Sequence, residues 1–192
     1  MVTPARRASC RSGLPWMADQ PLEPQKTLPS SKVFERIVFF GRLETRKGLD
    51  IFVEALLNLK GHPNLKTLKE IVLLGPAGSH IYEDTPTLTD LLKERLNIPV
   101  RALTDFNTRQ AQEYLRQHAA DTLVVIPSRS ETFGFTLIEV SFIEGLNFIF
   151  SNASGMAEVL KEAGTSQEFA PTVPALTEKI SQCLAEGPRP PP

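Results

Sequence analysis

At 192 residues, 41% of them apolar, the chain is long enough for one domain with a sizeable core and tails. A formal net charge of −1, with no Lys/Arg block or basic stripe, excludes an electrostatic case for binding DNA or RNA. Cys10 and Cys183 lie at opposite ends and His62, His80 and His118 are scattered, which excludes a disulfide framework and a zinc site at ligand spacing.

Residues 1–31 hold Trp16 but few periodic apolar positions, and Met1 to Pro29 carries five of the sixteen prolines. This stretch reads as an irregular tail or linker remnant. Arg6, Arg7 and Arg11 are not followed by the roughly 7–15 apolar residues of a secretory signal. Nor does any run approach the ~18 apolar residues of a membrane span. The expected location is cytoplasmic, with peripheral contact at a membrane left open.

From residue 32 onward, strand and helix patterns alternate. Arg36-Ile-Val-Phe-Phe-Gly41 is a short β-rich run closed by glycine, and Lys69-Glu-Ile-Val-Leu-Leu-Gly75 repeats it. Between them, Lys47 to Lys60 spaces Leu49, Phe52, Val53, Leu56 and Leu57 as one helical face. Gly75-Pro-Ala-Gly-Ser79 reads as a tight turn, not as a G-x-G-x-x-G fingerprint. Thr89 to Leu96 is a helix, and Pro99 to Leu103 a strand whose polar Arg101 points to a sheet edge. Asn107 to His118 is a helix with an Asn/Thr start.

Asp121-Thr-Leu-Val-Val-Ile-Pro127 is a continuous apolar strand buried on both faces. It leads through the polar loop Ser128-Arg-Ser-Glu-Thr-Phe-Gly134 into a helix over Phe135 to Gly145. Leu146 to Phe150 is a further strand, Ser154 to Lys161 a short helix and Ala175 to Leu184 the closing helix. Residues 187–192 form a proline-rich tail expected to pack against nothing.

Five strand–helix alternations imply a doubly wound, mostly parallel, Rossmann-like α/β sheet with its ligand crevice at the C-terminal strand ends. The polar residues fall at those ends. A helix N-terminus at Gly134, Phe135 and Thr136 offers backbone N–H groups and a positive dipole end to a phosphate. Arg42 adds a planar fork and Lys47 a point charge. Read alone, each is an ordinary surface cation, and Glu139 an ordinary helix-surface acid. A carboxylate pair at Glu131 and Glu139 also raises glycoside hydrolysis, but the cations and the helix start would then have no purpose. Arg46-Lys47-Gly48 lacks the flanking residues of a P-loop.

Glu131 and Glu139, with seven residues between them that include Phe133-Gly134-Phe135, resemble the E-x7-E signature of retaining GT-B glycosyltransferases, most closely glycosyltransferase family 4. Val38-Phe-Phe-Gly-Arg-Leu43, Lys47-Gly-Leu-Asp50 and Glu54-Ala-Leu56 resemble that family's first block. Gly145 to Asn152, with Ser154, Gly155 and Glu158, resembles its last. The resemblance runs from about Lys32 to Leu184 and covers the C-terminal half of a GT-B enzyme, the part that binds a nucleotide sugar.

It implies that Arg42 and Lys47 meet the donor diphosphate without a metal or other cofactor. The loop residues Glu131, Phe133, Gly134, Phe135 and Thr136 contact the donor, and Glu139 accepts hydrogen bonds from ribose hydroxyls. An acceptor-binding N-terminal domain is expected in trans or in a longer protein. The alternatives are a stand-alone nucleotide-sugar-binding module, an inactive fragment, or a Rossmann-like domain for another phosphate ligand. Three positions depart from the family pattern: Asn147 in place of proline, Ser154 in place of glycine, and Asp105 before the base-binding turn.

Overall fold

The computed structural model describes residues 33–82, 84–130, 134–153 and 167–189. The expected N-terminal tail, Glu131, Phe133 and the helix assigned to Ser154–Lys161 lie outside the described residues.

Six strands form one parallel sheet: β1 (Arg36–Phe40), β2 (Glu70–Leu74), β3 (Val100–Leu103), β4 (Thr122–Ile126), β5 (Asn147–Ser151) and β6 (Glu168–Phe169), in the order β3-β2-β1-β4-β5-β6. This is the doubly wound α/β sheet that the alternating pattern implied. The sixth strand was not anticipated, since two residues carry no periodicity. β3 is an edge strand, as Arg101 indicated.

Among the described residues, the α-helices are α1 (Leu49–Asn58), α2 (Thr85–Leu96), α3 (Thr108–Gln117), α4 (Phe135–Ser141) and α5 (Val173–Glu186). Alternate residues of each strand feed opposite layers. Ile37, Phe39, Ile71, Leu73, Leu123 and Val125 join α1, α2 and α5 in one core. Val38, Phe40, Val72, Leu74, Val124 and Ile126 join α3 and α4 in the other. Both faces of the central strands are therefore dry, which is why they read as unbroken apolar runs. Phe39 and Phe52 are fully buried with ring centroids 5.5 Å apart. Burying a side chain of that size stabilises the fold by about 1.5–3 kcal/mol.

Local chemistry sets the helix ends. α2 begins four residues earlier than its leucines indicated, because the Asp84 carboxylate accepts from the Thr87 N–H at 2.7 Å and Pro86 occupies the first turn. α3 opens with a reciprocal capping box. Asn107 Oδ1 accepts from Gln110 N at 2.9 Å, and Gln110 Oε1 from Asn107 N at 3.0 Å. α4 stops at Ser141, short of the expected Gly145, and Ser141 Oγ donates back to the Ile138 carbonyl.

At the N-terminal strand ends, Arg36 Nε meets Glu70 Oε1 at 2.7 Å and Arg36 Nη1 meets Asp121 Oδ1 at 2.7 Å. Arg101 Nε takes the other Glu70 oxygen at 3.0 Å. One ion network thus ties β1, β2, β3 and the start of β4 on the side away from the polar loops.

The C-terminal tail does pack where it is described. Gly187 is buried, and the Arg189 N–H donates to Asn147 Oδ1 at 2.9 Å. Asn147 Nδ2 also donates to the Gly145 carbonyl at 3.4 Å. The asparagine that departs from the family pattern therefore acts through its side chain, by holding the turn before β5 and the chain after α5.

Candidate functional site

Because every pairing is parallel, the loops after β1, β2, β4 and β5 leave from one edge of the sheet. β1 lies between β2 and β4, where the strand order reverses, the position at which doubly wound sheets form a ligand crevice. The loop there, residues 41–48, carries Arg42 and Lys47.

On the β2 side this loop is stitched down by backbone. Gly41 N donates to Leu74 O at 3.0 Å, Leu43 N to Pro76 O at 2.9 Å and Thr45 N to Ser79 O at 3.2 Å. Leu43 bridges Ala77 and is fully buried. A Cβ at Gly75 would lie 2.2 Å from the Gly41 carbonyl oxygen, so the two loops touch backbone to backbone. The Gly75–Ser79 turn is explained by this packing.

On the β4 side, Arg129 N donates to Arg46 O at 3.0 Å, and the Arg129 guanidinium pairs with the Asp50 carboxylate in the first turn of α1. Residues 45–47 form a single 3-10 turn, closed by Gly48 at φ +75°. A Cβ at Gly48 would lie 2.0 Å from the Pro127 carbonyl oxygen. The loops after β1 and β4 are thus in direct contact.

Arg42 is exposed and Lys47 half-buried. The β4–α4 loop re-enters the described structure at Gly134, which is buried at φ +64° and starts α4 without a side-chain cap. Its carbonyl accepts from Leu137 N and Ile138 N at 2.8 and 3.2 Å. Phe135 and Thr136 occupy the first turn, with the Phe135 ring exposed. A depression beside this turn is lined by Ser128, Gly134, Thr136, Leu137 and Ser151. Ser128 and Ser151 are both buried, and Ser151 Oγ donates to the Ser128 carbonyl, joining the ends of β4 and β5.

Glu139 is half-buried on α4, and burial pushes its carboxyl pKa above the ordinary glutamate value. Beyond β2, Tyr82 is pushed up to about 12 by burial and then by the carboxylates of Glu54 and Asp50. Asp50 Oδ1 and His80 Nδ1 are buried with no hydrogen-bond partner among the described residues. Also among them, no group of three or more His, Cys, Asp or Glu could hold a metal ion, and no helix is long and apolar enough to cross a membrane.

The structure therefore brings Arg42 and Lys47 to the same edge as Gly134, Phe135 and Thr136. Glu131 and Phe133, on the same loop, lie outside the described residues. Sequence reasoning missed Arg129, Asp50 and the Ser128–Ser151 bond as parts of this edge. Asp50 belongs to the family-like block Lys47-Gly-Leu-Asp50, but an ion pair between residues 79 apart has no local signature. Cations and a helix start converging at a switch point suit an anionic ligand.

A doubly wound parallel sheet with this edge is the Rossmann-like half of a GT-B fold. Residues 6–182 match the family described as "Family 4 Glycosyltransferase in conflict systems", and the chain belongs to that family. It is 25% identical over 198 residues to the D-inositol 3-phosphate glycosyltransferase of Rhodococcus jostii (strain RHA1), covering 97% of this chain and 40% of that protein. The chain thus spans about two fifths of that relative's length. Among solved structures, Anabaena Alr3699/HepE in complex with UDP is similar at TM-score 0.56 and 22% identity, over 79% of this chain and 39% of that one. The C-terminal domain of the group 1 glycosyl transferase LpcC of Francisella tularensis is similar at TM-score 0.55 and 21% identity, over 78% of this chain and 75% of that one.

Proposed function

We propose that this chain is the donor-binding domain of a retaining glycosyltransferase, holding a nucleoside-diphosphate sugar at the C-terminal edge of the sheet. The observation that carries the reading is the contact between the cation-bearing loop after β1 and the loop that leads from β4 into α4.

Transfer of the sugar breaks its bond to the diphosphate, which gains negative charge as the sugar carbon becomes oxocarbenium-like. Arg42 and Lys47 meet that charge in place of a metal. The N–H groups of Gly134, Phe135 and Thr136 add fixed dipoles that need no reorganisation. Glu139 accepts from the ribose hydroxyls, and Glu131, with Phe133 beside it, positions the donor sugar. The acceptor and its binding domain are supplied by another part of the enzyme, in trans or in a longer chain. UDP in the crystal structure of Alr3699/HepE makes a uridine donor the first to try.

The test is calorimetric titration of the full 192-residue chain with UDP, GDP, ADP and their glucose and mannose conjugates. One nucleotide should bind, and Lys47→Ala and Glu139→Ala should each weaken it about tenfold or more, the loss of one charge-assisted hydrogen bond. Binding that ignores both substitutions, or no binding at all, refutes the donor site. Turnover of the bound conjugate then separates a competent transferase from a module that only holds the donor.

A further inference from the structure

We infer that Arg129 is a positioning residue of this edge: it straps the loop of Lys47 to the loop that leads into α4, through its backbone N–H on Arg46 and its guanidinium on Asp50. The inference rests on the donor-site reading and adds a residue with a different role.

The two flanks of the loop at residues 41–48 are held differently. Toward β2, three backbone hydrogen bonds and a buried leucine fix it, and no side-chain substitution cuts them. Toward β4, the polar links among the described residues include two made by Arg129: its N–H donates to the Arg46 carbonyl at 3.0 Å, and its guanidinium pairs with Asp50. Asp50 is mostly buried, and its Oδ1 has no partner among the described residues, so Arg129 supplies its charge compensation there. Arg129 therefore pins the first turn of α1 and the 3-10 turn that ends at Lys47 with one residue. It also lies two positions before Glu131 on its own loop. Movement of either loop relative to the other changes the spacing between Lys47 and the α4 N-terminus, which a diphosphate must span. A group acting this way raises affinity by preorganisation, not by touching the ligand.

The test uses the full chain and the nucleoside diphosphate that the wild type binds. Arg129→Ala should weaken binding about tenfold, as loss of a supporting side chain does elsewhere, and Asp50→Asn should do the same. Arg129→Lys, which keeps a cation on Asp50, should recover most of the loss. In a Lys47→Ala background Arg129→Ala should cost less than about twofold more, because the group it positions is gone. Amide hydrogen exchange over residues 45–48 should quicken in Arg129→Ala. Full affinity in Arg129→Ala, or losses that multiply with Lys47→Ala, overturns the inference. If the wild type binds no nucleoside diphosphate, the donor reading falls; unchanged exchange at residues 45–48 then overturns the strap as well, and quickened exchange upholds it.

Discussion

Replacing Gly48 by alanine is the sharpest single test of how the cation-bearing loop is built. Two costs arise at this position. An L side chain at φ +75° costs about 1–2 kcal/mol. The new Cβ would also lie 2.0 Å from the Pro127 carbonyl oxygen, where real contacts begin near 3.0 Å, so backbone must shift by about 1 Å. Neither side yields easily, since Gly48 heads α1 and Pro127 directly follows β4 in its ladder. Overpacking of this kind costs about 1–3 kcal/mol, and a lower unfolded-chain entropy returns about 0.4–1 kcal/mol. The net expectation is about 1–5 kcal/mol, centred on ~3, or roughly 2–20 °C in Tm for a domain of this size. Gly61 provides the control: its φ is +85° but a Cβ there meets nothing within 4 Å, so Gly61→Ala should cost only about 1 kcal/mol. Urea denaturation of the two variants side by side reads the difference. Equal midpoints would refute the close approach of the two loops.

Arg36→Ala should destabilise the chain by about 2–3 kcal/mol in urea, since it leaves the Glu70 and Asp121 carboxylates short of a partner. Arg46→Ala, which removes an exposed pair with Glu44, should change it by less than about 1 kcal/mol, and comparable losses would contradict the ion network. Glu139 has a folded pKa raised above its unfolded value, so its contribution favours the fold at acid pH and is lost as pH rises through the folded pKa. Glu139→Gln should therefore unfold at higher urea than wild type at neutral pH while binding nucleotide more weakly; a destabilised variant would argue against burial as the cause. The two tyrosines, Tyr82 and Tyr114, are both shifted up from 10.0, Tyr82 to about 12. Ultraviolet difference titration should show little phenolate at pH 10, with stability falling as pH rises from 10 toward 12; half-ionisation at pH 10 would show both rings to be open to water.

The sheet was legible because its central strands are buried on both sides. Leu123, Val124, Val125 and Ile126 each face one core or the other, so no polar residue interrupts them. Edge elements were harder to read. β6 is two residues paired to β5, and α2 starts from an aspartate cap outside its leucine pattern. On α1 the expected apolar stripe is widened by buried Ile51 and Ala55, because α5 packs beside it and covers a second face. The edge location of Arg42, Lys47 and Gly134 was also legible, since parallel topology sends every strand–helix loop the same way. What holds those loops together was not. The Arg129–Asp50 pair, the Ser151–Ser128 bond and the Asn147 contact with Arg189 join residues 79, 23 and 42 apart, and such partners are chosen by the packed fold, not by neighbouring residues.

The central place of β1 has a consequence for how the chain is made. β1 and β2 are near neighbours in sequence, but its other partner begins only at Thr122, and the Arg36–Asp121 ion pair spans 85 residues. During synthesis, one hydrogen-bonding edge of β1 stays bare until that strand emerges. A bare apolar edge is a template for wrong pairing with other chains. The crevice between β1 and β4 is a late product of folding for the same reason. A chain cut before β4 keeps both cations but has no opposite wall, so the nucleotide binding proposed for this crevice would measure completed folding as well as chemistry.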